Sequence, residues 1–142
     1  LKRDFLISKP KIAVLGLNPH GGDGGLIGTE DMAVVSPVIE SFFNKGALVY
    51  GPYSADGFFG SRKYQSFDAV LGMYHDQSLI PFKTISFGSG VNYTAGLPII
   101  RLSPDHGVGY DIAGKNIADT NSLLSAMSLG VKIYYNRKSH VN

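Results

Sequence analysis

Apolar positions along the chain fall into short continuous runs and one helically spaced stretch. "KIAVLGLNP" (11–19), "ALVYGP" (47–52) and "DAVLGMY" (68–74) carry Val, Ile, Leu and Tyr side by side, which predicts buried strands. "VNYTAG" and "PIIRLSP" predict two more, on either side of a turn at Gly96-Leu97-Pro98. Between the first two runs, Thr29 is placed to cap a helix with Glu30 and Asp31 in its first turn, the favourable end for acids. That helix is predicted to run to about Lys45 and stop at Gly46, with Pro37 a mild irregularity. Residues 120–135 space Leu123, Leu124, Met127, Val131 and Tyr134 at helical intervals, giving one apolar face.

The segments in between are polar or glycine-rich. "LKRDFLISKP" reads as the end of a preceding element, and "SADGFFGSRKYQSF" as an aromatic-rich loop or a loop with a helical turn. "HGGDGGLIG" and "DHGVGYDIAGKNIADT" are glycine-punctuated loops. Strands and helices alternate at first, then strands cluster. This predicts an α/β fold with a mixed sheet flanked by helices. No repeat, low-complexity tract or linker interrupts it, and no internal boundary is marked.

Composition narrows the function classes. The chain has 142 residues, 44% hydrophobic and 17% charged, as an ordinary globular protein does. It has no cysteine, which excludes a disulfide framework or a thiolate metal site. No apolar run approaches the roughly 18 residues that cross a bilayer, and no signal peptide is visible, so a cytoplasmic protein without a membrane partner is expected. The net charge of +2 is scattered, and the short basic stretch "NRKSH" reads as solvated rather than nucleic-acid-binding. The 18 glycines, several beside histidines, suit loops that approach a small molecule closely.

Three histidines follow predicted strands: His20 in "LNPHGG", His75 in "MYHDQ" and His106 in "SPDHGVG". Ligands of open α/β sheets gather outside the carboxyl ends of strands. Imidazole suits Zn²⁺ and similar ions, and a neighbouring carboxylate can orient it. Asp76 and Asp105 each adjoin one of these histidines, and Asp56 follows another predicted strand. Taken singly, each histidine is equally at home as a loop residue held by the backbone. Lys83, Asn92 and Arg101 form a second set, spaced by nine residues each time. Lys83 and Arg101 could hold a phosphate or carboxylate. Arg101 interrupts the run "LPIIRLS", where a charge must be paired or must line a pocket. "HGGDGGLIG" lacks the closing Gly-Lys-Ser/Thr of a P-loop and the spacing of the dinucleotide fingerprint.

With these residues in view, the chain resembles the 4-hydroxythreonine-4-phosphate dehydrogenase family of pyridoxal phosphate biosynthesis. The resemblance rests on five motifs in order: "LNPHGGDGGLIGTED", "GPYSAD", "DAVLGMYHDQSLIPFK", "GSGVNYTAGLPIIRLSPDHG" and "DIAGKNIADT". It covers nearly all of residues 1–142 and corresponds to the C-terminal portion of a larger two-domain dehydrogenase. It implies an isocitrate/isopropylmalate-dehydrogenase-like fold, a three-layer α/β arrangement of which this chain is a fragment. By that resemblance His20 and His75 are ligands of a divalent metal (Zn, Co, Mn or Mg), with His75 serving the partner's site in a homodimer. Lys83, Asn92 and Arg101 contact the substrate and its phosphate. Asp56 and Asp76 match acidic residues near the metal, in supporting or proton-handling roles. His106 is the candidate contact to the cofactor, NAD. The implied reaction oxidises the secondary alcohol of the phosphorylated hydroxy acid to a 3-oxo acid, which loses CO₂.

The chain departs from the family pattern at Ser78, usually glycine, at Asp23, usually glutamate, and at Leu26, a histidine in many relatives. The family's third metal histidine lies upstream of residue 1, so the chain by itself is expected to turn over poorly or not at all. Two further readings stand beside this one: a related dehydrogenase of phosphorylated four-carbon sugar acids, and a dimerisation or binding module without catalysis. A simple metallohydrolase ranks last, for want of a nucleophile elbow or HExxH signature.

Overall fold

The computed structural model describes residues 1–86 and 88–140. Its elements run α1 (Lys2–Phe5), β1 (Lys11–Leu15), α2 (Ser36–Asn44), β2 (Leu48–Tyr53), α3 (Ala55–Gly60), β3 (Ala69–Leu71), α4 (His75–Ile85), β4 (Val91–Thr94), β5 (Arg101–Pro104) and α5 (Asn121–His140). They group into two compact units, one of residues Ile7–Pro81 and one of Arg3–Leu6 with the chain from Phe82 onward. The division falls inside α4.

In the first unit, β1 lies at the centre of a parallel sheet of order β2-β1-β3. Its run Ala13-Val14-Leu15 is buried, as a strand covered on both faces should be. The predicted aromatic loop is more ordered than its polar punctuation suggests. It forms α3 and a 3₁₀ turn at Lys63–Ser66. Their rings cover one face of the sheet: Tyr53 stacks on Phe58 at 5.2 Å, and Phe58 meets Phe59 and Phe67 at 5.4 and 5.7 Å. Ala13, Leu15 and Phe58 form the centre of this core.

The predicted helix after Thr29 is present but begins differently. A π-helical turn, Asp31–Val35, precedes α2, and Thr29 contributes its carbonyl to Met32 and Ala33 rather than a side-chain cap. The Asp31 side chain does not serve the helix end either, because it turns back toward the exit of β1. The helix finishes at Asn44, and Gly46 adopts φ +83° as a helix stop should.

In the second unit, β4 and β5 pair antiparallel around the predicted turn, with Asn92 opposite Ser103 and Thr94 opposite Arg101. The expected mixture of parallel and antiparallel pairing is thus divided between two sheets. The apolar face read along 120–135 is not the face that α5 buries. Ser122, Ala126 and Ile133 are buried, whereas Leu124 and Met127 are 57% and 62% exposed. The Ser122 hydroxyl donates to the Gly90 carbonyl (2.7 Å) and accepts from the Asp105 amide (3.0 Å), tying the start of α5 to the hairpin.

The basic stretch "NRKSH" is the last turn of α5, not a solvated tail. Arg137 donates to Asp4 through Nε (2.7 Å) and Nη2 (3.1 Å), and Tyr93 Oη and Arg3 reach the same carboxylate. Arg137 and Arg3, in that order, hold the Asp4 carboxyl far below the usual carboxylate range. No helix among the described residues is long and apolar enough to cross a membrane.

Candidate functional site

Because β1, β2 and β3 are parallel, their carboxyl ends lie at one edge of the sheet. The residues that follow those ends are His20 after β1, Asp56 after β2, and His75 with Asp76 after β3. The topology therefore gathers four of the expected site residues at the edge where α/β sheets bind ligands. His20, Asp56, His75 and Asp76 all have exposed side chains. Asp56 opens the first turn of α3, where Ser54 Oγ donates to it at 2.6 Å. That bond, followed by the Gly57 amide, lowers the Asp56 carboxyl below its usual range, and the charge of His20 adds to the effect. Asp56 is accordingly a fixed anion close enough to sense His20.

His20 sits in an unusual backbone. From His20 to Gly25 every φ is positive, with His20 at φ 54° and Asp23 at φ 46°. A left-handed conformation costs an ordinary L-residue about 1 kcal/mol. Gly22 must be glycine twice over, because φ is +85° and an added Cβ would collide with the Gly28 carbonyl. Two side chains fix the approach to this loop. The Asp31 carboxylate, 1% exposed, accepts from the Leu17 amide (2.7 Å) and the Asn18 amide (2.8 Å). The Gln77 amide donates to the Gly16 carbonyl at 2.9 Å.

His75 is not carried on a strand tip. Three residues separate it from β3, and it is the first residue of α4. The helix was hidden in the sequence by polar residues at its start and by Pro81 inside it. Its start is stabilised by Gln77, whose Oε1 accepts from the amides of Met73 (2.9 Å) and Tyr74 (3.1 Å), the reach-back of a capping box. Asp31 and Gln77 escaped the sequence reading. For Gln77 the signal was available, a Gln three residues after Tyr74, the residue that precedes the helix. Asp31 gave none, since its partners lie 13 and 14 residues away. Ser78 is accommodated by Gly72, where any side chain would run into the Ser78 hydroxyl.

The second unit carries the other expected residues. Asn92 and Thr94 of β4 share a face of the hairpin with Ser103 and Arg101 of β5, so Asn92 and Arg101 point to the same side. The premise that Arg101 is buried in an apolar strand fails: Ile99 is 65% exposed, Arg101 is exposed, and its Nη1 donates to Thr94 Oγ1 at 2.8 Å. Lys83 and His106 line a cavity of about 960 Å³, shared with Asp105, Val108 and Ile112. His106 Nδ1 lies 2.9 Å from the Gly107 carbonyl, within reach of a hydrogen bond in which a protonated Nδ1 donates. Asn92 and Arg101 do not line that cavity.

The donor set suits a divalent ion in part. Two imidazoles with carboxylates nearby match Zn²⁺, Co²⁺ or Mn²⁺. Among the described residues, however, no three His, Asp or Glu side chains converge as a complete centre. The cavity beside His106 has the volume of a small-molecule or cofactor pocket.

The α/β fold is that of the isocitrate-dehydrogenase-like class, to which the solved structures that resemble this chain belong. The family described as "Pyridoxal phosphate biosynthetic protein PdxA" matches residues 1–130, and the chain belongs to that family. It is 52% identical over 138 residues to the 4-hydroxythreonine-4-phosphate dehydrogenase of Bacteroides thetaiotaomicron, covering 97% of this chain and 38% of that one. Among solved structures, the 4-hydroxythreonine-4-phosphate dehydrogenase of Klebsiella pneumoniae is 40% identical with a TM-score of 0.72, over 96% of this chain and 40% of its own. A terephthalate 1,2-cis-dihydrodiol dehydrogenase from Burkholderia xenovorans is 34% identical with a TM-score of 0.62, over 89% and 40%. The chain thus spans about two-fifths of the length of the relatives it matches.

Proposed function

We propose that this chain is part of a dehydrogenase that oxidises 4-phosphohydroxy-L-threonine with NAD and a divalent metal, giving a 3-oxo acid that decarboxylates in pyridoxal 5'-phosphate biosynthesis. The observation that carries the reading is the family match over residues 1–130, together with His20, Asp56, His75 and Asp76 following successive parallel strands. A bound metal ion and a nicotinamide supply the Lewis-acid and hydride-accepting chemistry that no side chain offers.

The chain's own residues bind and orient. His20 would hold the ion of its own subunit and His75 that of the partner, with further ligands from outside this chain's described residues, in a site shared across a homodimer. Asp56, already ionised, balances positive charge beside His20 and can take up the substrate's hydroxyl proton; Asp76, next to His75, is the second carboxylate available for that task. Arg101 and Asn92, on one face of the hairpin, and Lys83 would grip the phosphate and the polar end of the substrate and so position its alcohol carbon. His106 and its cavity would take the cofactor. The family's biosynthetic role suits a cytoplasmic enzyme.

The dihydrodiol dehydrogenase among the relatives supports keeping a second reading, in which the same scaffold oxidises another vicinal hydroxy compound, such as a phosphorylated four-carbon sugar acid. The protein as its gene encodes it is mixed with NAD and each substrate, with and without EDTA, and NADH absorbance is followed. EDTA-sensitive NADH formation with 4-phosphohydroxythreonine, lost in His20→Ala and His75→Ala, is expected. NADH formation with only the sugar-acid phosphate would move the assignment to the second reading.

A further inference from the structure

A buried carboxylate lies at the root of the loop that carries His20. Asp31 is 1% exposed, and both its oxygens face the chain leaving β1. One accepts from the Leu17 amide at 2.7 Å, the other from the Asn18 amide at 2.8 Å. Asn18 is held a second time through its side chain, whose Nδ2 donates to Glu30 Oε2 at 2.8 Å. Its carbonyl accepts from the Gly21 amide at 3.2 Å, which closes a turn around Pro19 and His20. His20 stands in that turn at φ 54° and ψ 24°, a left-handed conformation that an L-residue keeps only where its surroundings impose it. Asn18, which opens the turn, is therefore fixed at its amide, its side chain and its carbonyl, and the buried member of that clamp is Asp31. Asp31 is itself set by the helix that follows, because Ser36 Oγ donates to its carbonyl at 2.7 Å.

We infer that Asp31 is a positioning residue that, by fixing Leu17 and Asn18, places the His20 imidazole and so sets the affinity of that subunit's site for a divalent metal. The inference rests on the proposed metal role of His20. A carboxylate suits the task because its two oxygens accept from two successive amides at once, whereas a side-chain amide has one acceptor oxygen and presents a donor in place of the other. Residues that orient metal ligands typically change metal affinity by about 10–100-fold when removed.

Three substitutions separate positioning from charge and from general stability. Asp31→Asn keeps the size of the side chain, removes its charge and replaces one acceptor with a donor. Asp31→Glu keeps the charge and both oxygens but displaces them by one methylene, so weaker binding there comes from misplaced amides and not from lost charge. Ile39→Ala empties a buried position of α2 in the same unit and takes no part in the clamp. The probe is Co²⁺, titrated by calorimetry into the protein as its gene encodes it, with the visible Co²⁺ spectrum recorded alongside and folding checked by circular dichroism.

The expected result is Co²⁺ binding by the wild type and its loss in His20→Ala. Folded Asp31→Asn and Asp31→Glu should bind at least about 10-fold more weakly, with an altered spectrum at saturation, while Ile39→Ala keeps wild-type affinity and spectrum. If Asp31→Glu fails to fold, the spectrum of Asp31→Asn decides, since lost charge alone weakens binding without changing the ligand geometry. If Asp31→Asn fails to fold, Asp31→Glu decides alone. Wild-type affinity and spectrum in Asp31→Glu, or an equal loss in Ile39→Ala, would overturn the positioning role and leave the metal reading intact. Unchanged Co²⁺ binding in His20→Ala would overturn the metal reading, and the role of Asp31 with it.

Discussion

The loop after β1 and the loop after β5 both carry a histidine among glycines, yet they are built differently. Residues 16–30 are anchored by long-range side-chain bonds, from Asp31 and Gln77, and lead from the end of a buried strand into a left-handed turn. Among the described residues, the loop of residues 105–119 is held at its root by the Asp105 amide on Ser122, and within itself by short-range turn bonds such as Ile112 to Gly109 and Lys115 to Ile112. Val108 and Tyr110 stay largely exposed there. The first loop arrives with its histidine already placed. The second presents a cavity with a glycine-rich wall, held at its root and by short-range turn bonds.

Substitutions can sharpen or break this contrast. The largest effect is expected under the first loop, where Leu15→Ala empties the centre of the aromatic core. Truncations of fully buried leucines cost about 2–5 kcal/mol, which urea denaturation would read directly. Asp31→Ala should follow closely. It leaves the Leu17 and Asn18 amides without their acceptor in a buried place, and each such group costs about 1–3 kcal/mol. Asp105→Ala, at the root of the second loop, should change stability by less than about 0.5 kcal/mol, because Asp105 contributes its backbone amide to Ser122. Equal costs for Asp31→Ala and Asp105→Ala would erase the distinction between a loop anchored by long-range side-chain bonds and one held at its root.

The second unit leans on charge where the first leans on rings. Asp4 is held below its usual range by Arg137 and Arg3, so its carboxylate stabilises the folded state fully above the ordinary carboxyl pKa of about 3.9. As pH falls below that value the unfolded chain takes up a proton first, and the contribution fades toward the lower folded pKa. Acid titration followed by tyrosine fluorescence should therefore show a loss below about pH 4 that Asp4→Asn abolishes, while lowering stability at neutral pH. The smallest structural effect is expected for His106→Ala, whose exposed ring lies 2.9 Å from the neighbouring Gly107 carbonyl. Its thermal midpoint should be unchanged, while NAD affinity, read by fluorescence titration, should weaken about 10-fold, the equivalent of about 1.4 kcal/mol.

How much of this was legible beforehand differs by element. The strands β1, β2 and β3 were plain because continuous Val, Ile and Leu runs have few other uses. The helix α4 was obscured because Pro81 and four polar residues at its start mimic a loop, and only the tertiary tie of Gln77 explains its beginning. The reversed face of α5 shows the limit of periodicity. Both faces carry apolar residues, and packing on the hairpin selects the smaller set, Ser122, Ala126 and Ile133. Arg101 lacks the burial that its apolar neighbours in sequence predict, although its pairing with Thr94 puts it on the same side as Asn92. The candidate residues themselves could be named from motifs, because those motifs fall where parallel strands end.

Gly72 and Ser78 share a single small volume at the start of α4. A side chain at 72 therefore requires the Ser78 hydroxyl to turn aside. A substitution at 72 would thus cost more in this chain than in a relative with glycine at 78.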